Sequence, residues 1–403
     1  MLVVAVILAI ALILKDVTII GDRYLMRGFA QLLCLLMAVW VPMNLRLSLL
    51  ARYSFIFAYL LFLFLTNLSD LAGIIQLISF AGVILFFIAF METQPQSAHD
   101  KFLGVILWGW FSVCSLSLVS IFVLPDMVYD KGLDLTSDTR FRGLFSKPGM
   151  MGSAAGLMVG IAIFRNRGIL ATYTPVAIGL LCLAKTGSRT FWVALLTAMS
   201  LTLWLYRPKY RAVLVACIGV LGASLFLLLS GTISGGTFIN RVLRVDSLVH
   251  LSGRTNLWGA AIEAIDNSPY VGFGYTKGAE GLLSLGPRLW DYLPNIRGFS
   301  REIIGAFSLH NGYMQALMDS GYIGLVLYVL TILGAFIMLV ITDRDRVYPL
   351  VFYGSVFSII TNFGETTMYA AAVFHSILYW YCCVHSYKSP QGSMLQAPLN
   401  ATH

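Results

Sequence analysis

Two arginines and one histidine stand in polar segments between long apolar runs, and their types suit phosphate chemistry. Arg189 lies in a short turn beside Ser188 and Thr190, and Arg254 directly precedes a predicted helix. A guanidinium is a fork of donors that can bind a phosphate through two hydrogen bonds. His310 could accept a proton from an incoming hydroxyl near neutral pH. These residues predict a site that binds a diphosphate and deprotonates an acceptor.

Polar side chains in neighbouring motifs predict further substrate contacts. Asn311 and Gln315, in the same segment as the histidine, are spaced to share one face of a helix. Arg140, Arg142 and Lys147 come just before another apolar run. For these three, an alternative role is interfacial, because Lys and Arg at helix ends extend toward the membrane surface.

Other ionisable residues have open roles. Glu365, in the sequence Gly-Glu-Thr, falls at a helix end, and His375 lies in or beside a late apolar segment, so each could be structural or line a site. Asp343 and Asp345 have the spacing of metal-binding carboxylates, but we interpret them as a solvated turn. The chain contains no phosphate-loop, zinc or serine-hydrolase motif. We expect neither metal nor cofactor, because arginines can neutralise the diphosphate.

The elements that must position these residues are predicted to be membrane helices. Of the 403 residues 58% are hydrophobic and 11% charged, which excludes an ordinary soluble enzyme, since globular proteins average about 25% charged. Apolar runs of about 20 residues recur, each long enough to cross a bilayer. They predict an all-α polytopic membrane protein with about twelve transmembrane helices. The predicted spans are 1–20, 28–43, 53–67, 71–91, 102–124, 149–164, 168–185, 190–206, 212–230, 317–342, 347–362 and 368–386.

The distribution of charge predicts orientation rather than an acidic partner. The net charge is +8, but the basic residues are scattered at helix ends and form no stripe, so we expect no nucleic-acid binding. Successive connections alternate between the two sides of the membrane, and Lys and Arg are more frequent in the short connections on the side that carries both termini. Because short cytoplasmic loops are enriched in basic residues, both termini are predicted to lie in the cytoplasm. The first apolar run lacks a preceding basic residue and is interpreted as a span, not a signal peptide. All six cysteines lie in apolar runs and are interpreted as small hydrophobic residues.

Two long connections then face outward, at about 125–148 and 231–316. The second is rich in aromatic residues, so we expect it to be partly helical. Its amphipathic helix carries apolar side chains on one face and is predicted to lie along the outer membrane surface. These side chains are Leu257, Trp258, Ala261, Ile262 and Ile265. The predicted organisation is nine helices in 1–230, the periplasmic loop 231–316 between spans nine and ten, three helices in 317–386 and a cytoplasmic tail, 387–403.

Several short motifs occur in a defined order around the candidate residues. They are Arg140-Phe-Arg142-Gly-Leu-Phe-Ser-Lys-Pro148, Gly-Ser-Arg-Thr at 187–190, Gly-Arg-x-x-x-Trp at 253–258 with Pro269 and Gly272-x-Gly274, His-Asn-Gly-Tyr-x-Gln at 310–315, and Gly321-x-x-Gly324. In this order, with a long loop before the histidine, they resemble the O-antigen ligase and polymerase family. The motifs cover about 140–330. Gly149 departs from the family pattern, in which many members have Asn.

The resemblance implies a bacterial inner-membrane glycosyltransferase of GT-C-like architecture, with its active site facing the periplasm. Such enzymes transfer a glycan from undecaprenyl diphosphate to a sugar hydroxyl of the lipid A-core, without metal and with inversion. By motif, Arg189 and Arg254 would bind the diphosphate and His310 would activate the acceptor. Membrane lipids surround the protein in this interpretation.

Three other functions are considered. A polymerase that joins lipid-linked glycans shares the family pattern, and the run 308–315 with Trp290-Asp-Tyr is similar to exopolysaccharide polymerases. A flippase or secondary transporter would show related halves or helices interrupted near the midplane, and the sequence indicates neither. A purely structural membrane scaffold is disfavoured by the concentration of Arg and His on one side.

Overall fold

The computed structural model describes residues 1–17, 32, 36, 47–130, 140–165, 168–207, 209, 211, 254–293, 308–341, 349–366 and 374–387. In these residues the fold is almost entirely helical. The helices are α1 (Leu2–Asp16), α2 (Leu47–Arg52), α3 (Ser54–Thr66), α4 (Leu71–Thr93), α5 (Gln96–Val123), α6 (Pro125–Val128), α7 (Pro148–Arg165), α8 (Ile169–Thr186), α9 (Arg189–Tyr206), α10 (Arg254–Ala264), α11 (Gly278–Gly281), α12 (Leu289–Tyr292), α13 (Gly312–Ile341), α14 (Pro349–Thr361) and α15 (Phe374–Ser386). Two short strands, β1 (Tyr129–Asp130) and β2 (Arg140–Phe141), form an antiparallel pair.

The helices confirm the coarse prediction of an all-α polytopic membrane protein. Helices α4, α5, α7, α8 and α13 are long and apolar enough to cross a membrane, and shorter apolar helices occur in α1, α3 and α14. A helix overlies each predicted span except 28–43 and 212–230, which fall almost wholly outside the described residues. The number of about twelve spans therefore stays a prediction.

Glycines on α7 allow the neighbouring helices to approach closely. A side chain at Gly152 would collide with the ring of Phe191 on α9, and one at Gly156 would collide with Phe357 on α14. These two rings stack on each other with their centroids 6.3 Å apart. Small residues at this spacing are a common device for tight helix packing in membranes. The result is that α7, α9 and α14 form one closely packed group.

Helix α13 is interrupted at Gly321, which has a φ of 65°. The predicted span 317–342 does not indicate this interruption. A side chain at Gly321 would also meet the backbone of Tyr270, because the long loop passes directly over the break. The C-terminal part, 322–341, is about 30 Å long at 1.5 Å per residue, which is long enough to cross a bilayer without the residues before the break.

The segment Arg254–Tyr292 forms a second, smaller helical unit with its own apolar core. This core includes Ala260, Ala264 and Ile265 and rests against Leu317 in the first part of α13. A helix, α10, lies where the amphipathic helix was predicted, but only part of the predicted apolar face is buried: Ala261 and Ile265 are buried, whereas Ile262 is 57% exposed. Its predicted position on the membrane surface stays a prediction.

A buried carboxylate joins this unit to α13. Asp319 has no exposed surface, and its Oδ1 accepts hydrogen bonds from the backbone N–H of Gly278 (2.6 Å) and from Nε2 of Gln315 (2.9 Å). Its Oδ2 accepts from the backbone N–H of Thr276 at 2.8 Å. We call these four residues the Asp319 cluster. It holds the end of the Gly272-x-Gly274 loop against the break in α13.

The same loop also contacts the membrane helices. The backbone N–H of Tyr275 donates to Asn67 Oδ1 at 2.7 Å, just beyond the end of α3. Lys277 Nζ pairs with Asp70 Oδ2 at 2.9 Å, and this carboxylate also caps α4 by accepting from Gly73 N–H. The helical unit is therefore anchored at both α13 and the α3–α4 turn.

The described cysteines are consistent with their predicted role as small hydrophobic residues. Cys114, Cys182, Cys382 and Cys383 are buried and free. The remaining two, at positions 34 and 217, lie outside the described residues.

Candidate functional site

Glu365, whose role was open from the sequence, lies at the point where two of the predicted catalytic residues meet. Its Oε1 is 3.2 Å from Nη2 of Arg254, and its Oε2 is 3.3 Å from Nδ1 of His310. Arg254 Nη1 also donates to the backbone carbonyl of Gly364 at 2.7 Å. We call Arg254, His310 and Glu365 the Glu365 cluster. Residues far apart in the chain thus form one group in which the carboxylate of Glu365 lies between the guanidinium and the imidazole.

Several helices begin beside this cluster. Gly149 is the second residue of α7, and a Cβ added to it would lie 3.3 Å from the carboxyl carbon of Glu365. Thr190 is the second residue of α9, and its side chain packs against Gly364. Arg254 begins α10. The N-termini of helices carry unpaired N–H groups and a partial positive charge, so their convergence favours an anion here.

The backbone that presents His310 is held in an unusual conformation. His310 has a φ of 50°, in the left-handed region that non-glycine residues rarely adopt. Its N–H donates to Oγ of Ser308, whose hydroxyl also bonds that of Thr366 at 3.0 Å. The indole of Trp258 donates to the carbonyl of Leu309 at 2.9 Å. Contacts from two sides therefore fix a conformation that costs free energy, as is common at functional sites.

The electrostatic surroundings keep Glu365 ionised at neutral pH. Burial acts to raise the pKa of this carboxyl, but the hydrogen bond to His310 and the electrostatic influence of His310, Arg254 and Arg140 outweigh it, so the pKa lies below its usual value. The Glu365 side chain is 23% exposed and that of His310 is 41% exposed. The imidazole is thus accessible from solvent while its Nδ1 edge faces the carboxylate.

The predicted diphosphate-binding turn reaches the same place through α9. Arg189 is the first residue of this helix, and its Nη1 atom is buried. Ser188, directly before the helix, is buried, and its N–H donates to Oγ1 of Thr186 at 3.3 Å. Because Thr190 packs against Gly364, the start of α9 adjoins the Glu365 cluster.

The three basic residues of the first long loop have different surroundings. Arg140, on strand β2, is close enough to Glu365 to lower its pKa. Arg142 donates from Nε to the carbonyl of Met127 at 3.1 Å, which ties the loop to α6. Lys147 is exposed just before α7. Of this predicted group, the structure brings Arg140 into the electrostatic environment of the cluster.

Asn311 and Gln315 are engaged in hydrogen bonds within the chain. Asn311 Oδ1 accepts from the N–H groups of Tyr313 and Met314, which caps the start of α13. Gln315 accepts from the N–H of Leu309 at 3.4 Å and belongs to the Asp319 cluster. Both side chains are buried. They support the segment that carries His310, and their predicted contact with substrate stays a prediction.

A cavity of about 250 Å³ lies at the other end of the helical group. Arg165 at the end of α7, Pro349 at the start of α14, and His385 are among its lining residues. Glu365 follows the opposite end of α14, and Gly149 stands at the opposite end of α7. Nothing in the local sequence indicates this cavity.

Some predictions concern residues that cannot be compared with the structure. Asp343 and Asp345 lie outside the described residues, as do all of residues 231–253 and the tail from 388 onward. The side chain of His375 is likewise not described. Among the described residues, no three His, Cys, Asp or Glu side chains lie close enough together to share a metal ion. The expected metal independence stays a prediction.

The fold and the cluster define an all-α polytopic membrane protein with a cationic site at one end of its helices. Residues 174–329 match the family model described as O-antigen ligase. The chain is also 31% identical over 205 residues to the exopolysaccharide production protein ExoQ of Rhizobium meliloti (strain 1021), in an alignment that covers 48% of this chain and 41% of that protein. The resemblance to the O-antigen ligase and polymerase family is thereby confirmed over this part of the chain.

Some charged residues of the candidate site lie inside the segment that matches the family model, and others lie outside it. Arg189, Arg254 and His310 lie inside the matched segment 174–329. Arg140 and Glu365 lie outside it. The chain spans about two fifths of the length of the curated relative that it matches. Arg140 was predicted from its sequence motif, whereas Glu365 is assigned to the site by its contacts in the structure.

Proposed function

We propose that the protein is a membrane glycosyltransferase that transfers a glycan from undecaprenyl diphosphate to a sugar hydroxyl of the lipid A-core. The observation that carries this proposal is the Glu365 cluster, in which a guanidinium and an imidazole meet beside the starts of several helices. A site of this kind combines anion binding with proton transfer. The family match over 174–329 supports the same activity.

The donor diphosphate binds to the arginines. Arg254 presents its guanidinium at the start of α10, and Arg189 begins α9 nearby. Negative charge grows on the diphosphate as its bond to the sugar breaks, and fixed guanidinium groups stabilise that charge in a site of low polarity. These groups supply the charge neutralisation that a divalent metal supplies in other transferases, so the reaction needs no metal.

The acceptor hydroxyl is activated by His310. Its Nδ1 faces Glu365, so a neutral ring that donates Nδ1–H to this carboxylate has Nε2 available as the proton acceptor. The acceptor oxygen bonds the anomeric carbon of the donor sugar while the bond from that carbon to the phosphate oxygen breaks. The proton passes to Nε2 and undecaprenyl diphosphate leaves with the bonding electrons. Attack from the face opposite the leaving group inverts the anomeric configuration.

An alternative acceptor is a second lipid-linked glycan, which would make the protein a polysaccharide polymerase. The similarity to an exopolysaccharide production protein favours this alternative. The two reactions share the donor, the leaving group and the base, and they differ only in the molecule that supplies the hydroxyl.

The proposed location is the bacterial inner membrane, with the Glu365 cluster at the periplasmic face and both termini in the cytoplasm. Lys147, which is exposed just before α7 on the same side as the cluster, offers a test of this orientation. A Lys147→Cys variant should react in intact spheroplasts with a maleimide that cannot cross membranes. Labelling only after lysis would contradict the orientation.

The function is tested with purified protein in lipid nanodiscs and a lipid-linked glycan as donor. One reaction contains lipid A-core as acceptor, a second contains only the donor, and both contain EDTA. Glycan joined to lipid A-core supports the ligase, and longer lipid-linked glycan supports the polymerase. Translocation of the lipid-linked glycan in vesicles without any transfer product would instead support a flippase and contradict the proposal.

A further inference from the structure

We propose that Glu365 is a positioning residue that holds the base and the diphosphate-binding arginine in a fixed mutual arrangement. This inference rests on the proposed function and extends it to a residue outside the segment that matches the family. It assigns a role to the short Gly364-Glu365-Thr366 turn after α14, which was open from the sequence.

The division of contacts between the two carboxylate oxygens is the first support. Oε1 faces Arg254 and Oε2 faces His310, so each partner has its own oxygen. Arg254 also bonds the carbonyl of Gly364, and two successive residues of one turn therefore orient its planar guanidinium. A partner on Nδ1 sets both the tautomer and the direction of a histidine ring, which directs Nε2 to the acceptor.

Hydrogen bonds to α14 and to Ser308 hold the turn in place, which is the second support. The N–H of Glu365 donates to the carbonyl of Thr361 at 2.9 Å, which continues the last turn of α14. The neighbouring Thr366 bonds Ser308, which in turn accepts from the N–H of His310. Side chain and backbone of the histidine are thus both tied to the same three-residue turn.

Gly149 provides the third support. Its missing side chain leaves the space in which the Glu365 carboxylate lies, since an added Cβ would be 3.3 Å from the carboxyl carbon and 3.4 Å from Oε1. The absence of a side chain at this position therefore suits this chain's own carboxylate. A larger residue would displace the carboxylate toward its two partners or away from one of them.

The test compares steady-state kinetics of the full-length protein in nanodiscs, with kcat expressed per folded molecule. In Glu365→Gln the side chain keeps its shape but loses its charge, and we expect kcat to fall about 10- to 100-fold. The KM for the lipid-linked donor should rise by no more than about twofold, because the backbone carbonyl of Gly364 still holds Arg254. Glu365→Asp, which restores the charge at shorter reach, should recover part of the lost kcat.

The matched control is Glu263→Gln. Glu263 also pairs with an arginine, Arg288, and accepts a hydrogen bond from Tyr292, but it belongs to the helical unit away from His310. We expect its kcat to stay within about twofold of the unmodified protein. An equal loss in Glu263→Gln and Glu365→Gln, or a loss in Glu365→Gln that is entirely a rise in donor KM, would overturn the positioning role.

Gly149→Ala keeps the test decisive if Glu365→Gln does not fold. Alanine is well tolerated at the start of a helix, and its Cβ would press on the carboxylate. We expect a several-fold lower kcat with donor KM preserved. Unchanged kcat in this variant would contradict the proposal. Absence of any transfer by the unmodified protein would refute the proposed function instead, so the two failures are distinguishable.

Discussion

Glu365 and Asp319 are two carboxylates that support the same histidine-bearing segment through opposite kinds of partner. Asp319 is fully buried and accepts from two backbone N–H groups and an amide. Glu365 is partly exposed and faces the ionisable side chains of Arg254 and His310. Backbone and amide donors are neutral and do not change protonation near neutral pH, whereas an imidazole can exchange a proton and a guanidinium carries a charge that attracts an anionic substrate. The comparison separates a structural carboxylate from one that can take part in chemistry.

The largest effect should come from removing the base of the Glu365 cluster. We expect His310→Ala to lower kcat about 10²- to 10⁴-fold, the usual contribution of a general base. The Asp319 cluster does not involve this ring, so thermal stability should change little. His385→Gln, which alters a histidine at the opposite cavity, is the matched control and should retain kcat within about twofold. Full activity of purified His310→Ala would refute the assignment of the base.

The next largest effect should come from the diphosphate-binding arginine. Arg254→Ala should lower kcat/KM about 10²- to 10³-fold, because a fixed donor to the leaving group is lost. Arg254→Lys should recover only part of this, since one ammonium cannot replace a planar fork held by Gly364 and Glu365 together. Arg288→Ala, which removes a more exposed arginine, serves as the control. Equal kinetics for Arg254→Ala and Arg288→Ala would remove Arg254 from the site.

Asp319→Ala should lower the stability of the protein more than its catalytic rate. It leaves the N–H groups of Thr276 and Gly278 and the amide of Gln315 without their buried acceptor, at a cost of about 3 kcal/mol. The prediction is a lower thermal unfolding midpoint in detergent, with kcat per folded molecule reduced less than in Glu365→Gln. An unchanged midpoint would mean that the Asp319 cluster does not hold the loop to α13.

Acid should weaken the Glu365 cluster in a predictable direction. The pKa of Glu365 is below its usual value, so its stabilising contribution is complete above the pKa of an unfolded glutamate, about 4.3, and is lost as the pH falls through the lower native value. The thermal midpoint of the unmodified protein should therefore fall below about pH 4 by more than that of Glu365→Gln. Parallel curves for the two proteins would show that the carboxylate adds no stability through its charge.

The smallest effect should come from the ion pair that anchors the loop to α4. Lys277 and Asp70 are partly exposed, so Lys277→Met should cost less than about 1 kcal/mol. The hydrogen bond from Lys277 is the largest cause of the lowered pKa of Asp70, and its removal should raise that pKa. A loss of stability as large as that of Asp319→Ala would show that this pair, and not the Asp319 cluster, is the main anchor.

Helix positions could be predicted from the sequence because apolar runs of the length of a bilayer have few other stable structures. The same pattern does not reveal a helix interruption that involves a single residue, as at Gly321. Gly321 reads as a packing glycine, and only the loop backbone at Tyr270 shows why it adopts a positive φ. Likewise, Ile262 fits the apolar face of α10 by spacing but lies on its exposed side, because the unit's core is formed around Ala260 and Ala264.

The site could be predicted in part, because charged and titratable residues are few in this chain. Arg254 and His310 stand out by residue type in an apolar chain, and the structure brings them together. Glu365 could be noted as an ionisable residue at a span end, but its partners are 111 and 55 positions away in the chain. The spacing of residues in the sequence does not predict a contact over such separations. The contact depends on the glycines of α7, which let α9 and α14 pack closely enough for their ends to converge.

The central claim is that the lipid diphosphate binds at the Glu365 cluster, and it is tested most directly by a cryo-electron microscopy structure of the purified protein in nanodiscs with undecaprenyl diphosphate. The account predicts diphosphate density within hydrogen-bonding distance of the Arg254 guanidinium and beside the ring of His310. Density for the diphosphate at the opposite cavity, against Arg165 and His385, with the Glu365 cluster ordered and unoccupied by ligand, would contradict it.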